Sequence, residues 1–331
     1  MNILGIETSC DETAAAVYSE NGLLSNIIAS QTIHQQFGGV VPELASRAHI
    51  KLIVPIVKRT IEESKISVSE LDGIAVTYGP GLVGSILVGL NFAKALAFSH
   101  KIPWVGINHI EGHIFANFID NKTLEPPFVV LIVSGGHTQL VYVKQLGDYL
   151  TLGNTRDDAA GEAYDKVAKM MNLGYPGGPI IDSLSKSSNE KFINFPRAML
   201  KEEHFDFSFS GLKTAVLYYL KKITEEKRKI FKAEIAASFQ AALVDVLVEK
   251  IIKAAKKMKV EDIVLAGGVA CNSYLRKELK VRAEQEQMNL FYPAPILCTD
   301  NAAMIACAGF YKLKKGETSK FNLSPNPSLK L

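Results

Sequence analysis

NILGIETSCDETAAAV, residues 2–17, and FVVLIVSGGHTQLVYV, residues 128–143, follow one plan. Each opens with an apolar run of strand length, turns through small polar residues and resumes as a second strand. After the first copy NG leads into a third strand over 23–30, and after the second a third strand is expected over 149–153. Beyond each meander the periodicity becomes helical. In the first half this gives a helix over 41–64 with Pro55 as a kink, a strand over 73–77, an apolar helix over 85–99, and a strand over 104–107 that hands over to another helix. In the second half it gives a helix over 160–171, an irregular stretch over 172–209, and helices over 213–222 and 226–257. A strand over 262–265, a helix to about 287, a strand over 290–292 and a last helix from near Asn301 complete it. The expected fold is α/β and duplicated, with a first half over 1–122 and a second over 123–331 whose last helix returns to the first.

A chain of 331 residues is long for one hydrophobic core, in keeping with two halves. Its 47% hydrophobic and 21% charged residues are those of an ordinary globular protein. Cys10, Cys271, Cys298 and Cys307 lie far apart with no CxxC pair, which argues against a zinc ribbon and a disulfide framework. The N-terminus lacks a basic stretch and meets Glu7, Asp11 and Glu12 at once, so it does not read as a signal peptide. The most apolar segment, 85–98, is interrupted by Asn91 and Lys94 and is short for a bilayer, so a cytoplasmic protein with no membrane association is expected. Thirty-seven Lys and Arg against 34 Asp and Glu leave a charge of +3, which permits a nucleic-acid partner without requiring one. The lysine-rich segments at 220–229 and 253–259 read as solvated helix faces or as phosphate contacts.

The chemistry is concentrated in turns and at one helix start. NHIEGH, residues 108–113, follows a buried strand, and on a helix His109 and His113 at i and i+4 share one face at metal-ligand spacing. Asp300, expected at the start of the last helix, is the third ligand candidate, although an acidic residue there is ordinarily a cap. Two His and one carboxylate suit iron or zinc acting as a Lewis acid. The motif differs from HExxH: Glu111 at i+2 lies about 200° round the helix from His109, away from the metal face, so a metalloprotease would lack its base here. Three turns of small residues, ETSCDET at 7–13, SGGHT at 134–138 and AGGVACN at 266–272, end strands and expose backbone amides suited to phosphates. Asn272 is placed to cap a helix or reach a base edge. Neither a P-loop nor a Rossmann GxGxxG is present.

IETSCDETAAAV, GGVVPELASRAH, GPGLVGS, NHIEGH, VSGGHTQL, DDAAGEAYDKVAK, YPGGP, DFSFSGLKTA, LAGGVACN and CTDNAAMIA occur in this order. Together they resemble the bacterial tRNA adenosine threonylcarbamoyltransferases, once labelled glycoproteases. The resemblance implies the duplicated actin-like ATPase (ribonuclease H-like) fold, with two halves around a nucleotide cleft. It implies transfer of a threonylcarbamoyl group from threonylcarbamoyl-AMP to the adenosine beside the anticodon of ANN-decoding tRNAs, with AMP released. By the same resemblance His109, His113 and Asp300 hold one divalent metal ion, iron in the family with zinc as the alternative. Ile132, Val133, Ser134, Gly135 and Gly136 contact the phosphate and acyl part, Asp165 and Asp182 the ribose, and Gly178 and Asn272 the adenosine. Asp11 or Glu12 is the expected proton acceptor. The implied partners, besides tRNA, are a paralogous actin-like subunit, a small ATPase and a synthase that makes the adenylate. The apolar helices near Ser85 and His109 are the surface considered for the paralogue. A zinc peptidase and a sugar kinase or ATP-driven scaffold are the competing classes, the first weakened by Glu111 and the second giving no reason for a metal triad.

Overall fold

The computed structural model describes residues 1–37 and 39–331, the side chains of Thr32 and Gln35 apart. Gly38, the first residue of the GGVVPELASRAH stretch, lies outside the described residues. The chain runs β1 (Ile3–Glu7), β2 (Glu12–Ser19), β3 (Gly22–Ser30), α1 (Pro42–Ser64), β4 (Gly73–Gly79), α2 (Val83–His100), β5 (Trp104–Asn108) and α3 (His109–Asp120). It continues as β6 (Phe128–Val133), β7 (Thr138–Gln145), β8 (Asp148–Asn154), α4 (Ala160–Met170), α5 (Gly177–Ser185), α6 (Ser210–Lys222), α7 (Glu225–Ile230), α8 (Lys232–Met258), β9 (Asp262–Ala266) and α9 (Ser273–Gln285). The last elements are β10 (Asn289–Phe291), α10 (Pro295–Cys298) and α11 (Ala302–Lys314). Two compact units result, one of Met1–Lys122 with Pro293–Leu331 and one of Thr123–Tyr292.

Each unit is built on a five-stranded sheet, ordered β3-β2-β1-β4-β5 in the first and β10-β9-β6-β7-β8 in the second. Read from the opposite edge, the second order is β8-β7-β6-β9-β10, which is the first order again. The pairings agree as well. β1 and β6 are each antiparallel to the strand that follows the turn and parallel to a later strand, β4 or β9. A parallel neighbour requires a crossover, and helices therefore cover these sheets. The central strands are buried on both faces, so ILGIE and FVVLIV read as continuous runs instead of alternating ones.

In the first unit, Leu4, Ile6, Ile74 and Val76 share a core with Ile53 and Val57 of α1 and Leu90 and Ala93 of α2. The other face of β1 meets α11: a Cβ on Gly5 would run into the Ala306 backbone nitrogen at 2.6 Å. Glycine is required there because the helix backbone lies against the strand. Strand side chains alternate, so Glu7, two residues on, belongs to the α11 face.

Several expectations needed correction. The stretch over 172–209 contains α5, whose opening YPGGP signals a turn while IIDSLS is too short for a visible helical period. The segment over 226–257 is two helices meeting at Phe231. The apolar segment 85–98 belongs to an 18-residue helix, α2, that is long and apolar enough to cross a membrane by length and composition. Its Ser85, Ile86, Gly89, Leu90, Ala93 and Ala97 face is nevertheless buried. Every residue of α3 from His109 to Ile119 is buried, so that helix offers no partner surface. Of the lysine-rich segments, Lys253, Lys256 and Lys229 are ion-paired with Glu249, Glu286 and Glu225.

Candidate active site

The first cluster is assembled by β1, α3 and the turn before α11. Asn108 ends β5 and caps α3, its Oδ1 accepting from the Ile110 amide at 2.8 Å. The cap sets the helix start so that His109 and His113, one turn apart, lie edge to face with ring centroids at 4.8 Å. Asp300 reaches both, with Oδ1 3.4 Å from His109 Nε2 and 3.3 Å from His113 Nε2. It is not the cap of the last helix. Asn301 is, accepting from the Met304 amide at 3.0 Å, which frees the Asp300 carboxylate to face the imidazoles.

The chemistry of this donor set fits a divalent ion. The three ligand atoms lie within 4.8 Å of one another, and buried His113 has no hydrogen-bond partner for Nδ1 among the described residues and only the 3.3 Å contact with Asp300 at Nε2. An orphaned buried imidazole is costly unless it serves as a ligand. Burial alone would raise the Asp300 carboxyl, but the His109 and His113 imidazoles hold it well below the usual carboxylate range. His109, disfavoured as a cation by burial, is held well above its ordinary value by Asp300 and Glu7.

Around this cluster lie the two carboxylates expected as proton acceptors. Asp11, in the turn after β1, and Glu12, which opens β2, are partly buried. Burial, then the charges of Asp300 and Asp11, push Glu12 up to about 9. The turn is held by His49 of α1, whose Nε2 donates to the Cys10 carbonyl at 3.0 Å while Nδ1 lies 2.8 Å from Thr13 Oγ1. Glu111 points elsewhere. Its Oε2 pairs with Lys312 Nζ of α11 at 2.8 Å, as the 200° offset on the helix requires.

In the second unit several of the residues expected to bind nucleotide tie neighbouring elements together by hydrogen bonds. Ile132 and Val133 are buried in β6. Ser134 begins the turn, its amide donating to the His137 carbonyl at 2.8 Å and its carbonyl accepting from Gly161 of α4 at 3.1 Å. Nothing lies within 4 Å of where a Cβ would stand on Gly135, Gly136 or Gly178, so these positions present bare backbone to open space. Asp165 of α4 accepts from the Gly177 amide at 2.7 Å, beside Gly178. Asp182 of α5 accepts from the Ser273 amide at 3.1 Å and hydroxyl at 3.0 Å. Asn272, next to Ser273, caps α9, its Oδ1 accepting from the Leu275 amide at 2.8 Å, one of the two roles considered for it. Its Nδ2 donates to Gln240 Oε1 at 2.7 Å.

Sequence reasoning missed Glu7, which lies against His109, and Gln240 and Tyr164, which both accept from Asn272 Nδ2. An acidic residue closing an apolar strand was a signal for Glu7. Gln240 gave none beyond being polar within a long apolar helix.

The sequence pattern of the family described as tRNA N6-adenosine threonylcarbamoyltransferase (TsaD) matches residues 22–307. The curated tRNA N6-adenosine threonylcarbamoyltransferase of Clostridium perfringens (strain SM101 / Type A) is 55% identical over 332 residues, covering 99% of this chain and 98% of its own. Among solved structures, component A of the (R)-2-hydroxyglutaryl-CoA dehydratase of Acidaminococcus fermentans is similar at a TM-score of 0.57 and 14% identity, over 95% of this chain and 99% of that one. Full-length HypF in its phosphate- and nucleotide-bound form is similar at 0.64 and 14% identity, over 96% of this chain and 47% of that one. At such identity the two structures show the fold alone, and that fold is actin-like.

Proposed function

We propose that this chain, which belongs to the tRNA N6-adenosine threonylcarbamoyltransferase family, transfers a threonylcarbamoyl group from threonylcarbamoyl-AMP to an adenosine amine of tRNA, with the help of a divalent metal ion. The full-length match to curated relatives supports the transfer. The convergence of His109 Nε2 and His113 Nε2 on one Asp300 oxygen is the single observation that supports the metal. Iron, the metal the resemblance implies, and zinc both fit these donors.

An adenine amine is a weak nucleophile because its lone pair is delocalised into the ring, so the electrophile must be activated. The mixed anhydride of threonylcarbamoyl-AMP supplies a good leaving group. The amine nitrogen bonds to the carbamoyl carbon, the carbon–oxygen bond to phosphate breaks, AMP leaves and the amine surrenders one proton. His109, His113 and Asp300 would hold the ion, which would supply Lewis-acid polarisation of a substrate oxygen. The chain's own residues bind and orient. Gly135 and Gly136 offer backbone to the phosphate, Asp165 and Asp182 take the ribose hydroxyls, and Gly178 with Asn272 lies along the adenosine. Asp11 or Glu12 takes the amine's proton; burial and the charges of Asp300 and Asp11 raise the Glu12 carboxyl in the metal-free chain, and an ion on Asp300 would relieve part of that.

The reading extends to ANN-decoding tRNAs in the cytoplasm, to a small ATPase and to a paralogous actin-like subunit. The outer faces of the packed helices α1 and α2 expose Ile50, Val54, Val83 and Leu87, at 44% or more of their surface, and suit that subunit. The test is reconstitution with partner proteins, ATP, threonine and bicarbonate, followed by mass spectrometry of tRNA nucleosides. Threonylcarbamoyladenosine is the expected product. Its absence from a mixture that works with a Clostridium relative overturns the reading. Metal content of His109→Ala/His113→Ala against wild type tests the ion separately.

A further inference from the structure

Glu7 is fully buried and sits on the same side of β1 as the metal cluster. A buried carboxylate at a strand end needs donors; it has two, and an imidazole nitrogen within reach as a third. Its Oε1 accepts from the Ser9 amide at 2.5 Å, and its Oε2 accepts from Thr77 Oγ1 at 2.6 Å and lies 3.1 Å from His109 Nδ1. The first two come from backbone and from β4, so the carboxylate is fixed before the imidazole reaches it. An ionised carboxylate only accepts, so the nitrogen facing it carries the proton. Ser9 Oγ is also 3.1 Å from Nδ1, but a hydroxyl can donate or accept and imposes no tautomer.

We propose that Glu7 is a positioning residue for the metal centre: it holds the Nδ1 proton of His109 and thereby directs the Nε2 lone pair of that ring toward Asp300 and the ion. The inference rests on the metal reading of the preceding subsection. His109 and His113 then differ in kind. His109 is oriented and made more basic by a carboxylate behind it, whereas His113 Nδ1 has no such partner among the described residues. Glu7 touches no substrate, and its effect passes through His109.

The probe is Co²⁺ alone, added to the full-length metal-free protein, with affinity read by visible absorbance against a competing chelator. Glu7→Gln weakens binding about 10- to 100-fold, the usual cost of losing such a partner. Ser9→Ala leaves it within about twofold, since Ser9 imposes no tautomer. A second measurement needs no variant: nitrogen-15 histidine spectra of the Zn²⁺-loaded wild type show His109 with its proton on Nδ1. Wild-type affinity in a folded Glu7→Gln protein, or a Zn²⁺-loaded His109 with Nδ1 as the ligand, overturns the role of Glu7 while the metal reading stands. Failure of the wild type to bind Co²⁺, or equal binding by His113→Ala, overturns the metal reading and the inference with it.

Discussion

Glu111 is the residue of NHIEGH that a metalloprotease reading would make a general base, and its geometry predicts a purely structural role. The Lys312 ammonium lies 2.8 Å from Glu111 Oε2, with side-chain exposures of 24% for the lysine and 4% for the glutamate. At that distance the Coulomb attraction is about 6 kcal/mol at an effective dielectric of 20, and desolvation of the carboxylate offsets much of it. The asymmetry in exposure gives an asymmetric cost. Lys312→Met removes the counter-charge of a buried carboxylate and costs up to about 3–5 kcal/mol of stability. Glu111→Gln leaves a lysine that can turn back into water, and costs about 1–2 kcal/mol. The double variant is less destabilised than Lys312→Met alone, because no charge remains buried. Urea unfolding of metal-free protein followed by circular dichroism measures all three, and single-turnover threonylcarbamoyl transfer by folded protein measures function. Transfer survives within a few-fold in Glu111→Gln. A loss beyond about 10²-fold with unchanged stability, the size expected for removing a general base, would refute the structural assignment. A costlier Glu111→Gln than Lys312→Met would refute the desolvation argument.

Three further outcomes are expected. Gly135→Ala and Gly178→Ala place a methyl in space the protein leaves open, so thermal unfolding is unchanged while transfer falls by up to about 10²-fold through a raised KM for threonylcarbamoyl-AMP; unchanged kinetics in both removes these turns from the substrate site. Glu12 has its folded-state pKa raised from 4.5 to about 9, so the native chain holds a proton that the unfolded chain releases, and metal-free stability falls as pH rises across that window. Glu12→Gln therefore gains about 1–3 kcal/mol at pH 8 after discounting for partial exposure, and nothing near pH 4; a pH-independent gain in urea titrations contradicts the shift. Val54→Asp with Leu87→Asp introduces charge on the exposed α1–α2 faces without touching the core, so the isolated chain stays folded while co-purification with the paralogous subunit is lost; retained pairing moves that surface elsewhere.

The duplication was legible because strand, small turn and strand are local features. Period and turn chemistry at 2–17 and 128–143 need no tertiary information, and the shared pairing order of the two sheets is their consequence. Helix α5 was not legible, because a nine-residue element opened by PGG shows less than three turns of periodicity. Asp300 was visible as an acidic residue near a helix start, where the ordinary reading is a cap. What decided its role was its neighbour: Asn301 takes the capping bond, and the backbone register that puts one side chain on the helix and the other on the imidazoles cannot be read from DN alone.

Glu7 carries the same point further. In sequence it ends ILGIE and begins a turn, and both readings are local. Its partners Thr77 and His109 stand 70 and 102 residues away, and only the register of β1 against β4 brings them together. Ile6 aligns with Val76, so the next residues along both strands, Glu7 and Thr77, project at one level. β5 adds Ile107 opposite Thr77, which sets His109 just beyond the sheet's edge and within reach of the Glu7 carboxylate. A one-residue slip of either parallel pairing would turn Glu7 or Thr77 to the opposite face, toward the apolar core under α1 and α2. Register thus places Glu7 beside the candidate metal cluster, which is why the i and i+4 spacing of two histidines was visible in sequence while the carboxylate behind one of them was not.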